Sequence, residues 1–216
     1  MNSRHMPPSW PAARGLARVA AALALSAGLI GQASATNTEI AGVHYEPKVS
    51  VEGQQLQLNG SGLSYKALQK VYTVGLYTAH KSHKTEEVLA MDGPKQLKFV
   101  MLVSMRIDEL GKLIARGLEA NSQRDEFMRL IPSTVDMGRT FSKLRRMAPG
   151  DNVVIEWVPR RGTVFYVNGQ PSGLPIGQQE FYNAVLKVWI GKSPTTQDLK
   201  DALLDFRPAP LLDALE

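Results

Sequence analysis

The residue types that most often carry out chemistry in proteins are sparse in this 216-residue chain. It contains no cysteine, which excludes disulfides, thiolate metal sites and thiol nucleophiles. The closest histidine pair of the later chain, His80 and His83, is spaced three residues apart at the end of a predicted strand. Their rings should therefore point to opposite faces. We predict no metal site and no cofactor.

A glycine-rich segment, Asn-Gly-Ser-Gly-Leu-Ser at 59–64, invites comparison with a serine nucleophile turn or a phosphate loop. The first requires a sharp strand-to-helix turn, and the second requires a lysine and a helix N-terminus. Here the segment lies between two strand-like stretches, and Asn59 with Gly60 is a typical turn pair. The sequence therefore predicts a hairpin turn at these two residues, without catalytic chemistry.

The first 35 residues have the three parts of a secretory signal peptide. Arginines lead, an apolar run covers residues 19–30, and Ala33, Ser34 and Ala35 form a small-residue cleavage pattern. We predict a signal peptide over residues 1–35, a periplasmic location, and a mature domain over 36–216. A retained N-terminal anchor is the alternative. Losing three arginines and no acidic residue lowers the net charge from +5 to +2, so the basic pI does not indicate a nucleic-acid partner.

The elements that position any site are read from hydrophobic spacing. Strand-like stretches occur near residues 70–80, 96–106, 152–159 and 162–167, and Asn168 with Gly169 predicts a hairpin turn after the last. Apolar residues at three- and four-residue spacing predict a helix over 107–121. A shorter helix around 124–131 is predicted to stop at Pro132, and another is predicted to start from an N-cap at Ser133.

Two further helices are predicted in the segment "FYNAVLKVWIGKSPTTQDLK", residues 181–200. The first has an apolar face that includes Trp189, and Gly191 is placed to end it as a left-handed cap. Thr195 with Asp198 three residues later resembles a capping box that starts the second. Strands followed by helices, without strict alternation, indicate an α+β domain with helices gathered against an antiparallel sheet.

Two motifs resemble the chalcone isomerase family. "AVLKVWIGKSPTTQDLK" (184–200) is similar to the family's C-terminal helix pair, and "KVYTVGLYT" (70–78) is similar to its strand of the form K-aromatic-T-x-x-G-x-Y. The likeness extends over about 39–206 and is closest to a bacterial, exported branch. It implies an open-faced β-sandwich, in which a large antiparallel sheet is covered by a layer of helices.

The resemblance also implies where catalytic residues would lie. The arginine that holds the nucleophilic oxygen in the plant enzymes corresponds to Ser64, the strand threonine corresponds to Tyr72, and the last polar contact corresponds to Val188. A phenolate attacking an enone needs cationic or polar stabilisation and a nearby proton donor. Because the aligned arginine and threonines are missing, isomerase activity is not expected.

We therefore expect a non-catalytic protein that binds a small amphipathic ligand, and the family resemblance points to fatty acids. The expected apolar cleft lies near Tyr72, Phe99, Leu113 and Trp189, and Arg106 or Lys112 is available for a carboxylate. The expected ligand-binding residues are Tyr72, Arg106, Lys112 and Trp189.

Two other functions remain open at this point. The chain could be an isomerase or lyase acting on a phenolic enone, with Tyr72 as the proton donor. It could also be an envelope interaction domain, in which the basic segment "KLRR" (143–146) contacts a membrane surface.

Overall fold

The computed structural model describes residues 38–142 and 146–206. The predicted signal peptide, residues 1–35, lies outside the described residues, as do residues 143–145 and the last ten. Among the residues that are described, no helix is long and apolar enough to cross a membrane.

The described chain forms eleven strands and five helices. The strands are β1 Thr38–Ile40, β2 Val43–Tyr45, β3 Lys48–Val51, β4 Gln54–Lys66, β5 Gln69–Thr78, β6 Lys95–Met101, β7 Met105–Arg106, β8 Arg146–Met147, β9 Asn152–Val158, β10 Gly162–Val167 and β11 Gln170–Pro171. The helices are α1 Thr85–Ala90, α2 Ile107–Ala120, α3 Arg124–Ser142, α4 Gln179–Ile190 and α5 Gln197–Leu203.

One large antiparallel sheet organises the fold. Its seven strands follow the order β11-β10-β9-β6-β5-β4-β3, and β1-β2 and β7-β8 form two-stranded sheets beside it. Every pairing in the large sheet is antiparallel. This confirms the predicted α+β fold, a large antiparallel sheet covered by helices.

Strand β5 shows how the two faces of the sheet are used. Tyr72, Val74 and Leu76 alternate onto the face that packs against the helices. Tyr77 belongs to a smaller apolar cluster on the opposite face, which also contains Tyr45 from β2. Both faces of the central sheet are therefore covered, but only one carries the main core.

The helix layer is centred on α4, which is buried along most of its length. Its buried side chains contribute to the main core together with those of α2 and α5; they are Phe181, Tyr182, Ala184, Val185, Leu186, Val188, Trp189 and Ile190. Gly117 of α2 lies close to α4, since a Cβ there would lie 2.6 Å from Val188 Cγ1. The two helices therefore approach each other closely at a small residue.

The predicted turn at Asn59 and Gly60 is wrong. Both residues lie inside β4, and the strand turns instead at Ala67 and Leu68. The Asn59 side chain is buried and donates to the carbonyl oxygen of Leu203 at 2.8 Å. Asn59, although typical of turns, therefore connects the end of α5 to the sheet. It lies at a β-bulge between Leu58 and Gly60.

The predicted helix boundary at Pro132 is also wrong. Helix α3 runs from Arg124 to Ser142 with Pro132 inside it, and Ser133 is therefore an internal residue and not an N-cap. A proline inside a helix removes one backbone hydrogen bond and crowds the preceding turn. Pro132 is exposed, and Leu130, Met137 and Phe141 of the same helix are buried. We attribute the continuity to this packing, which spans both sides of the proline.

Two predicted caps are corrected and one turn is confirmed. Gly191 follows α4 with φ −76°, which is not left-handed; a glycine fits because a Cβ would lie 2.4 Å from Asn121 Oδ1. Thr196, not Thr195, caps α5, since its side chain accepts from the Leu199 amide. Asn168 and Gly169 form the predicted hairpin turn between β10 and β11, both with positive φ.

Lys95 is a fully buried lysine at the start of β6. Its ammonium group donates to the carbonyl oxygen of Met91, and burial lowers its pKa to about 8, with a smaller opposing effect of Asp92. The unfolded chain has the ordinary lysine pKa near 10.4, so between pH 8 and 10 the unfolded state binds more protons than the folded state. The stability contributed by this group should therefore rise with pH in that window.

Lys95→Met provides the test of this pH dependence. Between pH 7.5 and 9.5 the parent protein should gain about 1–2 kcal/mol of unfolding free energy from Lys95, measured by urea denaturation. The variant should lack that gain, whereas Lys48→Met, which removes an exposed lysine of β3, should keep it. Identical pH profiles for the parent and Lys95→Met would show that Lys95 titrates normally in the folded protein.

Candidate functional site

A cavity of about 550 Å³ lies where the β4–β5 hairpin, β7, α2 and the segment before α5 meet. Its volume is within the range of about 300–1,000 Å³ that is typical of small-molecule sites. The lining residues are Ser64, Tyr65, Lys66, Val71, Tyr72, Met105, Glu109, Leu110, Lys112, Leu113, Arg116, Thr195 and Thr196.

The floor of this cavity is formed by buried and mostly apolar side chains. Tyr72, Met105 and Leu110 are buried members of the main core, and Leu113 packs against them while it remains partly exposed. Ser64 is the buried polar residue of the floor and lies directly across from Tyr72 in the β4–β5 register. An apolar group that enters the cavity would therefore be removed from water.

The phenol of Tyr72 connects the cavity floor to the core. Trp189 Nε1 donates to Tyr72 Oη at 3.1 Å, and the Tyr72 ring meets the Phe99 ring edge-on with centroids 5.6 Å apart. Burial raises the pKa of Tyr72 above its ordinary value, and hydrogen bonding by Ser64 and Trp189 opposes this effect. At neutral pH the phenol is uncharged and keeps its proton.

The rim of the cavity carries more positive than negative charge. Lys66, Lys112 and Arg116 are exposed lining residues, and Glu109 is the acidic side chain among them. Lys112 Nζ is 3.2 Å from Asp108 Oδ2. In the part of the chain that the structure describes, neither Lys66 nor Arg116 makes an ion pair. These two cations are available to an anionic group at the opening.

Thr195 adds a second polar group to the cavity wall. Its Oγ1 is buried and has no hydrogen-bond partner among the described residues. A buried hydroxyl without a partner costs about 1–3 kcal/mol. Because this oxygen has almost no accessible surface, a molecule in the cavity would reach it only if the segment before α5 moved.

The structure brings together some of the predicted ligand-binding residues and separates others. Tyr72 and Lys112 line the cavity. Trp189 does not: it is fully buried behind Tyr72, with its ring 4.8 Å from that of Phe99. Arg106 is exposed beside the cavity and its Nε is 2.8 Å from Asp108 Oδ1.

The expected cleft near Phe99 and Trp189 is therefore filled by side chains, and the open space lies on the outer side of Tyr72. Arg116 and Lys66 were not among the predicted site residues. The signal for Arg116 was present, because it follows Lys112 by four residues on a predicted helix and so shares its face. Lys66 could not be placed while the hairpin turn was assigned to Asn59 and Gly60.

The positions that align with catalytic residues of the plant enzymes lie in different surroundings. Ser64 and Tyr72 both face the cavity, but a serine in place of arginine supplies no charge for a phenolate. Val188 is 1% exposed and packs against Gly117 between α2 and α4, so it does not reach the cavity. Of these aligned positions, Tyr72 is the one that brings a phenol to the cavity lining.

A second cavity, of about 510 Å³, lies at the other end of β4. Its lining includes Lys48, Asn59, Lys81 and Asp205, and Lys81 Nζ is 3.2 Å from Asp205 Oδ2. Its lining is more polar than apolar, and its charged groups include the ion pair between Lys81 and Asp205. The first cavity is the better candidate for an amphipathic molecule.

Two other sequence hypotheses can be located in the structure. Within residues 38–142 and 146–206, no group of three or more His, Asp or Glu side chains is placed to hold a metal ion. Of the basic segment 143–146, only Arg146 is described; it is exposed and donates to Ser104 Oγ at 3.3 Å. The other residues of that segment lie outside the described residues.

Comparisons with known proteins agree on the fold. A family model described as chalcone isomerase-like matches residues 37–205. A solved fatty-acid binding protein of Arabidopsis thaliana is similar in structure, with a TM-score of 0.58 and 12% sequence identity over 76% of this chain and 92% of that chain. No curated protein sequence matches this chain. At this identity, the structural likeness supports the fold alone.

Proposed function

The chain belongs to the chalcone isomerase-like family, and from this membership we propose that it is a non-catalytic binding protein for a small amphipathic ligand, with a fatty acid as the first candidate. The observation that carries the proposal is the 550 Å³ cavity, with its apolar floor and its cationic rim. A fatty-acid binding protein with a similar fold makes a fatty acid the first ligand to test.

The cavity is arranged for a molecule with an apolar chain and an anionic head. Val71, Leu110 and Leu113 offer an apolar surface, on which burial of each methylene group contributes about 0.8 kcal/mol. Arg116 at the rim can bind a carboxylate through two parallel hydrogen bonds. Tyr72 lines the same cavity, and its phenol is uncharged and therefore adds no charge to the floor.

Binding is favoured over isomerisation by the chemistry of the same residues. An isomerase would use Tyr72 as its proton donor, and the side chain of this residue is buried. Its raised pKa makes it a weak acid. Ser64 stands where the plant enzymes have an arginine, so a phenolate would lack its main stabilising charge.

We further propose that the protein is exported to the periplasm after cleavage of residues 1–35. The proposal rests on the basic leader, the apolar run and the small residues before Thr36. N-terminal sequencing of the protein recovered from a periplasmic fraction tests it; an intact Met1 there would contradict the cleavage.

The ligand proposal predicts a specific loss of affinity in Arg116→Gln. Thermal-shift and calorimetric titrations with fatty acids of graded length should give chain-length-dependent stabilisation of the parent protein. Arg116→Gln should bind about tenfold more weakly, because a charge-assisted hydrogen bond is replaced by a neutral one. The matched control is Arg124→Gln, which removes an exposed arginine of α3 away from the cavity and should bind normally.

Two results would contradict the proposal. The first is the absence of both co-purifying lipid in native mass spectrometry and chain-length-dependent stabilisation. The second is equal affinity of the Arg116→Gln and parent proteins, which would show that the carboxylate is not held at this rim.

A further inference from the structure

The tip of the β4–β5 hairpin, residues 65–70, projects from the cavity opening with an unusual pair of exposed apolar side chains. Leu68 is 98% exposed and Tyr65 is 51% exposed. Tyr65 and Lys66 also line the cavity, so the tip is part of its rim. An almost completely exposed leucine has no packing role in the folded domain.

Positive charge accompanies these apolar side chains. Lys66 and Lys70 flank Leu68, and both are exposed. No acidic residue occurs between Glu52 and Glu86, a stretch that contains both strands of the hairpin. Arg116 adds a third cation on the α2 side of the same opening. The tip therefore combines a protruding apolar group with a local excess of positive charge.

We propose that the hairpin tip docks on the surface of an anionic lipid bilayer and places the cavity opening against it. Leu68 and the Tyr65 ring would enter the boundary between headgroups and acyl chains. Lys66 and Lys70 would remain among the anionic headgroups, where each basic residue contributes attraction. Charge complementarity selects this occupant, because a neutral or positively charged surface would leave the lysines without partners.

This inference deepens the proposed function and rests on it in one respect. A fatty acid is poorly soluble and is held in bilayers, so a cavity whose rim lies on the bilayer could take up or release its ligand without an aqueous step. The docking surface itself is independent of the ligand. It differs from the basic segment 143–146, since it is defined by described residues on the hairpin.

The experiment uses co-sedimentation with vesicles of phosphatidylcholine alone and of phosphatidylcholine mixed with phosphatidylglycerol. All proteins keep the same N-terminus, so that any contribution of residues 1–35 is common to them. The parent should bind the mixed vesicles and lose binding as salt is raised. Leu68→Ser should weaken binding about tenfold, and Lys70→Gln about fivefold.

Two controls match these variants in exposure and chemistry. Leu174→Ser removes another leucine, which is 84% exposed, and Lys48→Gln removes an exposed lysine of β3. Both should bind mixed vesicles as the parent does. Leu68→Trp gives a local readout: its emission should shift to the blue and be quenched by brominated lipid in mixed vesicles, whereas Leu174→Trp should remain unquenched.

The outcomes separate this inference from the ligand proposal. Leu68 and Lys70 do not line the cavity, so Leu68→Ser and Lys70→Gln should keep fatty-acid stabilisation in solution. Equal vesicle binding by all variants, or no binding to mixed vesicles, overturns the docking surface while the ligand proposal stands. Self-association that depends on Leu68, without vesicle binding, identifies a second copy as the occupant and also overturns it. Vesicle binding that depends on Leu68 and Lys70 supports the surface even if no fatty acid binds.

Discussion

Replacing Trp189 with alanine is expected to lower the free energy of unfolding by about 3–5 kcal/mol. The side chain is fully buried, its ring lies 4.8 Å from that of Phe99, and its indole nitrogen donates to Tyr72 Oη. Removing it leaves a cavity among residues of β5, β6 and α4. These residues belong to different elements and can fill the space only in part. Urea denaturation of the parent and variant measures the difference.

Trp189→Phe separates the two contributions of this side chain. The variant keeps most of the ring volume and loses the hydrogen bond to Tyr72, so we expect a loss of about 1–2 kcal/mol. A loss below about 1 kcal/mol in Trp189→Ala would show that this part of the core is loosely packed. The space behind Tyr72 would then be available to a ligand, as the sequence had suggested.

The second large effect is expected at Gly60, where α5 lies directly on β4. A Cβ on this residue would be 2.2 Å from the carbonyl oxygen of Ala202 and 2.5 Å from that of Leu203. Both contacts involve backbone atoms, so relief requires α5 to move away from the sheet. Gly60→Ala should therefore destabilise the protein by about 3 kcal/mol, the upper part of the range for overpacking.

Gly138→Ala is the matched control for Gly60→Ala. Gly138 lies in α3, and a Cβ there would meet nothing within 4 Å. Because alanine has the higher helix propensity, this variant should be more stable by about 0.5–1 kcal/mol. Thermal and urea unfolding of both variants test the pair. A Gly60→Ala protein as stable as the parent would mean that α5 is free to shift on β4.

Elements with strong hydrophobic spacing were predictable from the sequence. The helix predicted over 107–121 is observed as Ile107–Ala120, because its apolar residues recur at three- and four-residue spacing. The hairpin at Asn168 and Gly169 was predictable because both residues tolerate positive φ. In these places the local preference and the tertiary fold agree.

The errors occurred where tertiary contacts override local preference. Asn59 and Gly60 resemble a turn, but Asn59 is used to bond α5 and Gly60 makes room for it. The real turn, at Ala67 and Leu68, contains neither glycine nor asparagine, although Ala67 has φ +53°. Pro132 does not end α3, since packing on both sides of it holds the helix together.

The candidate site was predictable only in part for a related reason. Spacing on α2 placed Leu113 on the apolar stripe of the helix and Lys112 among the polar residues beside that stripe, and Tyr72 came from the family resemblance. Sequence alone does not show which aromatic side chains fill a space and which border it. Trp189 was therefore assigned to the cleft, whereas it packs behind Tyr72 and fills the inner part.

Tyr72 belongs to two compartments at once, since its ring closes the cavity and its hydroxyl is held by Trp189. Under the proposed function, Tyr72 therefore couples ligand binding in the cavity to side-chain packing in the core. If a ligand shifts the phenol, it changes the free energy of the contact between Tyr72 and Trp189. By reciprocity, a change at Trp189 alters ligand affinity by the same amount, although Trp189 never touches the ligand. Under the proposed function, the affinity of the cavity for a ligand would then depend in part on α4, an element that lies outside the cavity.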